Sequence, residues 1–193
     1  WTVDTANAGF VEQAIAVPTD RITFSSIENL TGGTVNDDFT FSGTGSVTTI
    51  NGNGGTNIIT GKDAINDWTL TTANAGNVGI AGTFYITSFQ DIQTITGGSG
   101  SDTLTGRNIN NSWTVNAVDA GFVEATVAVP TDRINFNNIE NLTGGDLNDE
   151  FILTAATLSG IIDGGNGNNS IKLEIDDGFT NNWVVSGADS GRL

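Results

Sequence analysis

The sequence FSSIENLTGGTVNDDF, residues 24–39, returns as FNNIENLTGGDLNDEF at residues 136–151. In both stretches polar residues separate the apolar ones, and a Gly-Gly pair followed by Asn-Asp divides two such runs. Apolar residues alternating with polar ones are typical of strands with one buried face, and Gly, Asn and Asp are typical of turns. The runs at the two ends of the first stretch, Arg21–Phe24 and Asp38–Phe41, alternate in this way and are predicted to be strands. The residues expected to stack in the core are Phe24, Ile27, Leu30 and Phe39, with their copies Phe136, Ile139, Leu142 and Phe151.

The repeat extends beyond this stretch. Residues 1–39 match residues 113–151 at about 26 of 39 positions, with a shift of 112 residues. A shorter copy begins at Trp68, and a truncated one begins at Trp183. Self-similarity at a fixed spacing is typical of stacked architectures, in which each unit packs only on its neighbours. We therefore expect two repeat units, residues 1–112 and residues 113–193, the second of them truncated.

The composition favours strands and turns throughout. The 193 residues include 26 Gly, and short runs rich in Thr, Val, Ile and Phe are bounded by Gly, Asn and Asp. We expect an all-β protein, a parallel β-solenoid of about eight short coils with a mean spacing of about 23 residues. A β-sandwich is the structural alternative. It requires antiparallel hairpins, and the sequence has no regularly spaced set of Asn-Gly or Asp-Gly pairs to form them.

The charge excludes several classes of partner. With 22 acidic and 6 basic residues, the formal net charge is −16, which repels nucleic-acid phosphates and anionic lipid. No apolar run approaches the ~20 residues of a membrane span. Without His or Cys, the Ser-His and Cys-His nucleophile systems cannot form. A pair of acids could still serve a hydrolase, but the acidic positions mostly repeat with the coils, so we expect no enzyme. So acidic a surface suits an extracellular or cell-surface protein.

Five nine-residue stretches share one template. They begin at Gly32, Gly52, Gly97, Gly144 and Gly164. The third, GGSGSDTLT, matches the calcium-binding nonapeptide pattern G-G-x-G-x-D-x-U-x at every defined position. The others alter it: position four is Val35 or Leu147 in two of them, and position six is Asn57 or Asn169 in two others. The paired glycines are expected to form corners with positive φ, at Gly32, Gly33, Gly97, Gly98, Gly144 and Gly145.

With these strings at residues 24–39 and 136–151, the chain resembles the Gly-, Asn- and Asp-rich β-strand-repeat regions of very large secreted bacterial proteins. These regions lie between the calcium-binding RTX (repeats-in-toxin) β-rolls and the β-helices of the filamentous-haemagglutinin type. The resemblance covers nearly the whole chain. It implies a parallel solenoid and a bacterial extracellular or cell-surface location. It also implies a role as an adhesin, a surface filament or a stalk.

The resemblance makes calcium a candidate cofactor, with Asp37, Asp102 and Asp149 as the candidate ligands at position six. In the RTX family, however, the nonapeptides run consecutively, and here they are isolated. We expect Asp37 to lie beside Asn57 and Asp149 beside Asn169, and we find no partner for Asp102. Calcium needs six to eight oxygen ligands, whereas stacked Asn and Asp side chains can form hydrogen-bonded ladders without a metal. Both a structural turn and a calcium-binding RTX-like module therefore stay open.

Four tryptophans, Trp1, Trp68, Trp113 and Trp183, recur at matching places. One interpretation is an aromatic stacked or half-buried at a coil corner. The other is a platform for sugar rings, which would make this face a glycan-binding surface of an adhesin that contacts a host or another cell. Ice binding by ranks of Thr is disfavoured because the ranks do not recur in every coil.

Two further expectations concern ion pairs and partners. In the segments Val17–Ile22 and Val129–Ile134, Arg21 is expected to pair with Glu28 and Arg133 with Glu140. Both ends of the chain read as ordinary repeat strands without caps. Open strand edges accept further strands, so neighbouring repeats, or identical subunits stacked end to end, are the expected partners.

Overall fold

A computed structural model gives the fold and describes residues 1–13, 20–127, 132–154, 158–174, 184–187 and 190–192, with only the backbone in the last two ranges. The protein is all-β, and within this part of the chain no residue is helical, so none lies in a helix that could cross a membrane. Its strands form two large sheets and one separate hairpin. The first half of each of the segments Val17–Ile22 and Val129–Ile134, and also Trp183, lie outside the described residues.

The first sheet has eleven strands. They are β1 (Thr2–Thr5), β2 (Ala8–Val11), β3 (Ile22–Phe24), β5 (Asp38–Phe41), β7 (Ile58–Thr60), β11 (Thr94–Thr96), β13 (Asn111–Ala117), β14 (Ala120–Ala125), β15 (Ile134–Asn137), β17 (Glu150–Leu153) and β19 (Ser170–Leu173). The second sheet has eight strands. They are β4 (Asn29–Thr31), β6 (Val47–Asn51), β8 (Asp67–Thr72), β9 (Ala75–Ile80), β10 (Thr83–Gln90), β12 (Thr103–Thr105), β16 (Asn141–Thr143) and β18 (Ile162–Asp163). The separate hairpin consists of β20 (Val184–Gly187) and β21 (Ser190–Arg192).

The chain alternates between the two sheets, and neighbouring strands reached in this way are parallel. Where nothing intervenes, paired residues are 20 apart, as Leu30 is from Ile50 and Phe151 is from Ile171. Elsewhere the step is longer, as between Ile59 and Ile95. The predicted mean spacing of about 23 residues therefore combines short steps of 20 residues with longer ones, and the two sheets hold eleven and eight strands. No strand pairing joins the two sheets into a closed barrel among the described residues.

The longer steps arise from three-stranded antiparallel meanders. The first sheet contains the meanders β1-β2-β3 and β13-β14-β15, and the second contains β8-β9-β10. The first turn of each meander has a residue with positive φ, namely Asn7, Asn74 or Asp119, which is the backbone region that Asn and Asp tolerate best. The expectation that the chain lacks hairpins was wrong. The turns carry Asn-Ala-Gly or Asp-Ala-Gly rather than Asn-Gly or Asp-Gly.

The second and third meanders carry Trp, Gly and Phe in their successive strands, and in the first meander Trp1 comes directly before β1. In the second meander, Gly76 of β9 pairs with Phe89 of β10, and the rings of Trp68 and Phe89 meet with centroids 6.2 Å apart. A Cβ on Gly76 would overlap the carbonyl oxygen of Thr69 and lie 2.8 Å from the Phe89 ring. The middle strand therefore needs glycine so that the two aromatic rings can pack across it. Trp68 lies within strand β8 rather than at a corner.

A single hydrophobic core lies between the sheets, with inward residues of both contributing to one cluster. Of the predicted core residues, Leu30, Phe39, Phe136, Ile139, Leu142 and Phe151 are buried, as expected. Phe24 is only half-buried and packs against the cluster, and Ile27 is exposed. The physical reason is position, because β3 and β4 are the outermost strands of their sheets and have a neighbour on one side only.

Candidate functional site

The acidic and amide side chains singled out by sequence stand in columns at the turns between the sheets. Each column residue comes just before a strand or begins one, and we call each such strand position a level of the stack. In every column the backbone N–H of the first two residues donates to the side-chain oxygen of the residue in the next level. The first column runs from Asp37 to Asn57, at 2.9 Å, and on to Gln93, at 2.7 Å. The predicted pairing of Asp37 with Asn57 is confirmed.

Two further columns follow the same rule. In one, the Asn66 N–H donates to Asp102 and the Asp102 N–H donates to Glu140, both at 2.6 Å. In the other, the Asn111 N–H donates to Asp149 at 2.9 Å and the Asp149 N–H donates to Asn169 at 2.8 Å. The predicted pairing of Asp149 with Asn169 is confirmed. The expectation that Asp102 has no partner was wrong, since it contacts the levels on both sides.

Asp102 is completely buried and is held by N–H donors. Its Oδ1 accepts both the backbone N–H and the side-chain NH2 of Asn66, and its Oδ2 accepts the N–H of Gly98 at 2.7 Å. Burial raises the pKa of the Asp102 carboxyl, the donated hydrogen bonds from Asn66 and Gly98 oppose that rise, and the charge of Glu140 adds to it. The side chain thus stabilises the turn of its own level and joins it to the level before.

Asp149 repeats this arrangement. Its Oδ1 accepts the N–H of Asn111 and, at 2.6 Å, the Asn111 side chain, while its Oδ2 accepts the N–H of Gly145 at 2.8 Å. The first glycine of the turn, Gly144, is needed because a Cβ there would overlap the carboxylate. Asp37, its counterpart in the first copy, is half-buried and accepts the N–H of Gly33 at 2.6 Å.

The paired glycines therefore stand at corners, as predicted, but not for the predicted reason. None of the six has positive φ, which occurs instead at glycines such as Gly55 and Gly167. A Cβ on Gly98 or Gly145 would overlap a carbonyl oxygen of the preceding level, that of Lys62 or Arg107. Close approach of the backbone is what requires glycine at these corners.

Asparagine replaces aspartate where the turn presents carbonyl groups. The side-chain NH2 of Asn57 donates to the carbonyl oxygens of Gly54 and Asp91, at 3.2 and 2.9 Å. That of Asn66 donates to Lys62 and Ala64. The choice between Asn and Asp in a column thus follows the local polarity of the turn, since a carboxylate can only accept hydrogen bonds whereas an amide also donates them.

A buried polar cluster surrounds Asn66. The hydroxyl of Tyr85 donates to Asn66 Oδ1 at 2.8 Å, and the Lys62 ammonium lies 4.4 Å from the centre of the Tyr85 ring. Burial raises the pKa of the Tyr85 hydroxyl, which therefore stays protonated as a donor. Sequence reasoning missed this cluster because Tyr85 and Asn66 come together only through the meander.

The neighbours of these aspartates do not suit a calcium ion. Calcium requires six to eight oxygen ligands, whereas the oxygens of Asp102 and Asp149 face N–H groups, whose positive ends oppose a cation. Among the described residues, no three or more acidic side chains form a group that could hold a metal. Calcium at Asp37, Asp102 or Asp149 stays a prediction, and no geometry of the described turns supports it.

Two of the tryptophans belong to the core, and a third packs against it. Trp68 and Trp113 are fully buried, and Trp113 stacks on Phe151 with centroids 5.6 Å apart and planes 14° apart. Buried rings are not available to a sugar, so the glycan-platform interpretation is wrong for these two residues. Trp1 is half-buried and stacks on Phe39 in the same way, at 5.9 Å and 16°.

The predicted ion pairs were also wrong. Arg21 pairs with Glu12 at 2.9 Å and Arg133 with Glu124 at 2.8 Å, in both cases across neighbouring strands of one meander. The predicted acceptor Glu140 instead accepts the Asp102 N–H. Sequence spacing along the chain favoured the next turn, but the antiparallel meander brings an earlier glutamate opposite each arginine.

Sequence reasoning also missed a buried ion pair. Arg107 and Asp132 lie 3.0 Å apart and both are nearly inaccessible to solvent. Asp132 accepts a second hydrogen bond, from the N–H of Ala125, at 3.2 Å. The pair joins the turn after β12 to the end of the loop that enters β15.

Comparison of the chain with models of protein families, with curated proteins and with solved structures gives no match.

Proposed function

We propose that the chain is a structural repeat segment of a secreted bacterial surface filament, stalk or adhesin, and that its two sheets form a parallel β-solenoid. The observation that carries the proposal is the balance of the two sheets. Over residues 1–112, the first sheet gains six strands and the second also gains six. A chain that adds equally to two facing sheets extends along one axis. With neighbouring strands ~4.8 Å apart, each unit advances that axis by about 29 Å.

The side chains support a structural rather than a ligand-binding role. Core residues stack in columns, such as Phe39, Ile59, Ile95 and Phe136 in successive parallel strands of the first sheet. Asn and Asp side chains join the same levels at the turns. Every contact of this kind links a level to its neighbours, which is the energetic pattern of repeat proteins. The partners that fit are neighbouring repeats or identical subunits end to end.

The negative charge fits the proposed setting. At −16, the surface repels nucleic acid and anionic lipid, and it limits lateral association of parallel rods. The outermost described strands, β3 and β4 at one end and β18 and β19 at the other, are the places at which association is favoured.

Small-angle X-ray scattering on a lengthened chain tests the proposal. A second copy of residues 1–112 is inserted directly after residue 112, which preserves the natural junction with Trp113. A solenoid predicts that the maximum dimension rises by about 29 Å while the radius of the cross-section is unchanged. A rise in cross-section with little gain in length would contradict the proposal.

Thermal unfolding, followed by circular dichroism with excess calcium and again with chelator, separates the proposal from the calcium-binding alternative. We expect equal melting temperatures, because the aspartates of the columns are held by N–H donors. A large rise with calcium would make the protein a calcium-stiffened module instead. The Asp102→Asn and Asp149→Asn variants would then locate the ion.

A further inference from the structure

The two copies of the repeat present the same strand edge in two states. In the second copy, β15 and β16 are covered by β11 and β12, which pair with them in parallel. In the first copy, the equivalent strands β3 and β4 are outermost and nothing covers them among the described residues. The covered edge is therefore a template for what the open edge accepts.

The apolar residues of the open edge match those of the covered one. Ile134 is 1% exposed and Ile139 is fully buried, whereas their counterparts Ile22 and Ile27 are 67% and 41% exposed. The turn that shapes the edge is the same in both copies, with φ of 58° at Ser26 and 50° at Asn138. The open edge is thus already in the conformation that the covering strands contact.

Charge complementarity is also present in one copy and absent in the other. Asp132 is buried against Arg107, which follows β12 in the covering segment. Its counterpart Asp20 is exposed, and no ion pair involves it among the described residues. An arginine supplied at the position of Arg107 could therefore form an ion pair with the Asp20 carboxylate.

The glycine corner gives a third and independent indication. A Cβ on Gly145 would overlap the carbonyl oxygen of Arg107, so glycine is required there. At the equivalent Gly33, the nearest atom to such a Cβ is Asp37 Oδ2 at 3.8 Å, an ordinary van der Waals distance. The space at Gly33 matches the space that the covering backbone fills in the second copy.

We propose that the open edge of β3 and β4 is a docking surface for a strand–turn–strand segment of the same repeat sequence, joined directly ahead of Trp1 as residues 94–112 are joined to Trp113. The segment needs apolar residues at the positions of Ile95 and Leu104, which pair with Phe136 and Leu142 in the template. It also needs arginine at the position of Arg107. This inference rests on the proposed function and names the partner of the first unit.

The test adds a second copy of residues 94–112 ahead of Trp1 and measures its register with a disulfide. The chain has no cysteine, so an engineered pair is unambiguous. In the template, Thr94 is opposite Asn135, whose counterpart is Thr23. The in-register variant therefore carries Thr23→Cys together with Thr94→Cys in the added segment. Adjacent parallel strands bring Cα atoms within the range that a disulfide requires.

The matched control moves one cysteine out of register. It keeps Thr23→Cys and places Thr105→Cys in the added segment, because Thr105 is opposite Thr143 and hence should face Thr31 rather than Thr23. In a glutathione buffer at low protein concentration, we expect at least ten-fold more intramolecular disulfide in register than out of register. Circular dichroism of each reduced variant verifies that the rest of the chain is folded.

Charge reversal tests the proposed ion pair between Asp20 and the arginine of the added segment. Arg107→Asp in the added segment should lower the in-register disulfide several-fold, and Asp20→Arg combined with it should restore the yield. Equal yields in both registers would overturn the proposal. A disulfide formed only between molecules, and rising with concentration, would also overturn it and make a second copy of the chain the occupant.

The disulfide experiment and the scattering experiment on the lengthened chain can fail independently of each other. An in-register disulfide in a protein that does not lengthen on insertion of residues 1–112 would refute the rod and leave the docking surface standing. Lengthening by about 29 Å without the disulfide would do the reverse.

Discussion

The first and second copies of the repeat differ in burial at positions where their residues are identical. Trp113 and Phe136 are fully buried, whereas Trp1 and Phe24 are only partly buried and pack against the edge of the core. The aromatic geometry within each pair is nearly the same, with centroids 6.3 Å apart in the second copy and 6.2 Å in the first. The meander therefore folds alike in both places, and burial is added by the neighbouring level. The difference between the copies measures what one level contributes to the next.

The largest difference between the copies is expected for a charge placed in the core. Ile139→Asp should lower the free energy of unfolding by more than ~4 kcal/mol, since an unpaired carboxylate would enter a dry site. Ile27→Asp should change it by less than ~1 kcal/mol, because solvent reaches this side chain. Urea unfolding of both variants measures the contrast. Equal losses would mean that Ile27 is covered in solution.

The buried ion pair should give the next largest difference. Arg107→Gln leaves the Asp132 carboxylate buried without its partner, which we expect to lower stability by ~3–5 kcal/mol. Asp20→Asn, at the equivalent open position, should have an effect within ~0.5 kcal/mol. Because removing both charges avoids the unpaired carboxylate, Arg107→Gln combined with Asp132→Asn should recover part of the loss. A double variant as unstable as the single one would show that packing of Arg107, not its charge, is what matters.

Substitution of the column aspartates should give a smaller difference in stability between the two copies. In Asp149→Asn, either oxygen position that becomes NH2 faces an N–H donor, from Asn111 or from Gly145, and we expect a loss of ~1–3 kcal/mol. In Asp37→Asn, the side chain is half-buried and can turn its NH2 to water, so the loss should be below ~1 kcal/mol. Chemical denaturation at neutral pH measures both. A larger loss for Asp37→Asn would contradict the role assigned to Asn111.

The smallest effect should be the same in both copies. Arg21 and Arg133 each pair with a glutamate and lie over a phenylalanine ring of their own meander, at 3.7 and 3.8 Å from the ring centre. Arg21→Gln and Arg133→Gln should each lower stability by ~0–1 kcal/mol, less at high salt. Because no neighbouring level takes part, a clear difference between these two variants would show that the meanders themselves are not equivalent.

The sequence predicts the burial of a residue well where that burial depends on the pattern of the residue's own strand. Alternation places Leu30 and Phe39 inward, and both are buried. Alternation cannot distinguish Ile27 from Ile139, because both follow Phe and two polar residues and precede Glu-Asn-Leu-Thr-Gly-Gly. The two differ in the level that lies beside them. Burial of this kind depends on the position of the copy within the stack, which local sequence does not encode.

The hydrogen-bond partners of the column residues were predictable only where the two residues are 20 positions apart in the sequence. Asp37 and Asn57 are 20 residues apart, and the recurring nonapeptide frame shows that spacing directly. Asn66 and Asp102 are 36 residues apart because a meander lies between them. The signal that could have revealed the meanders is the tripeptide Asn-Ala-Gly or Asp-Ala-Gly that follows Trp1, Trp68 and Trp113 at the same distance. It supplies a residue tolerant of positive φ, followed by a glycine that leaves space for a phenylalanine ring.

The placement of the meanders in alternate sheets has a mechanical consequence. A meander adds two strands, and hence about 10 Å, to one side of the molecule only. If successive meanders occupied the same sheet, that side would outgrow the other in every unit, and a long array would curl towards a ring. Because the second meander lies opposite the first and third, each local bend is reversed by the next. If the proposed solenoid forms, a tandem array of this sequence would therefore remain straight on average while carrying a periodic ripple with the length of one unit.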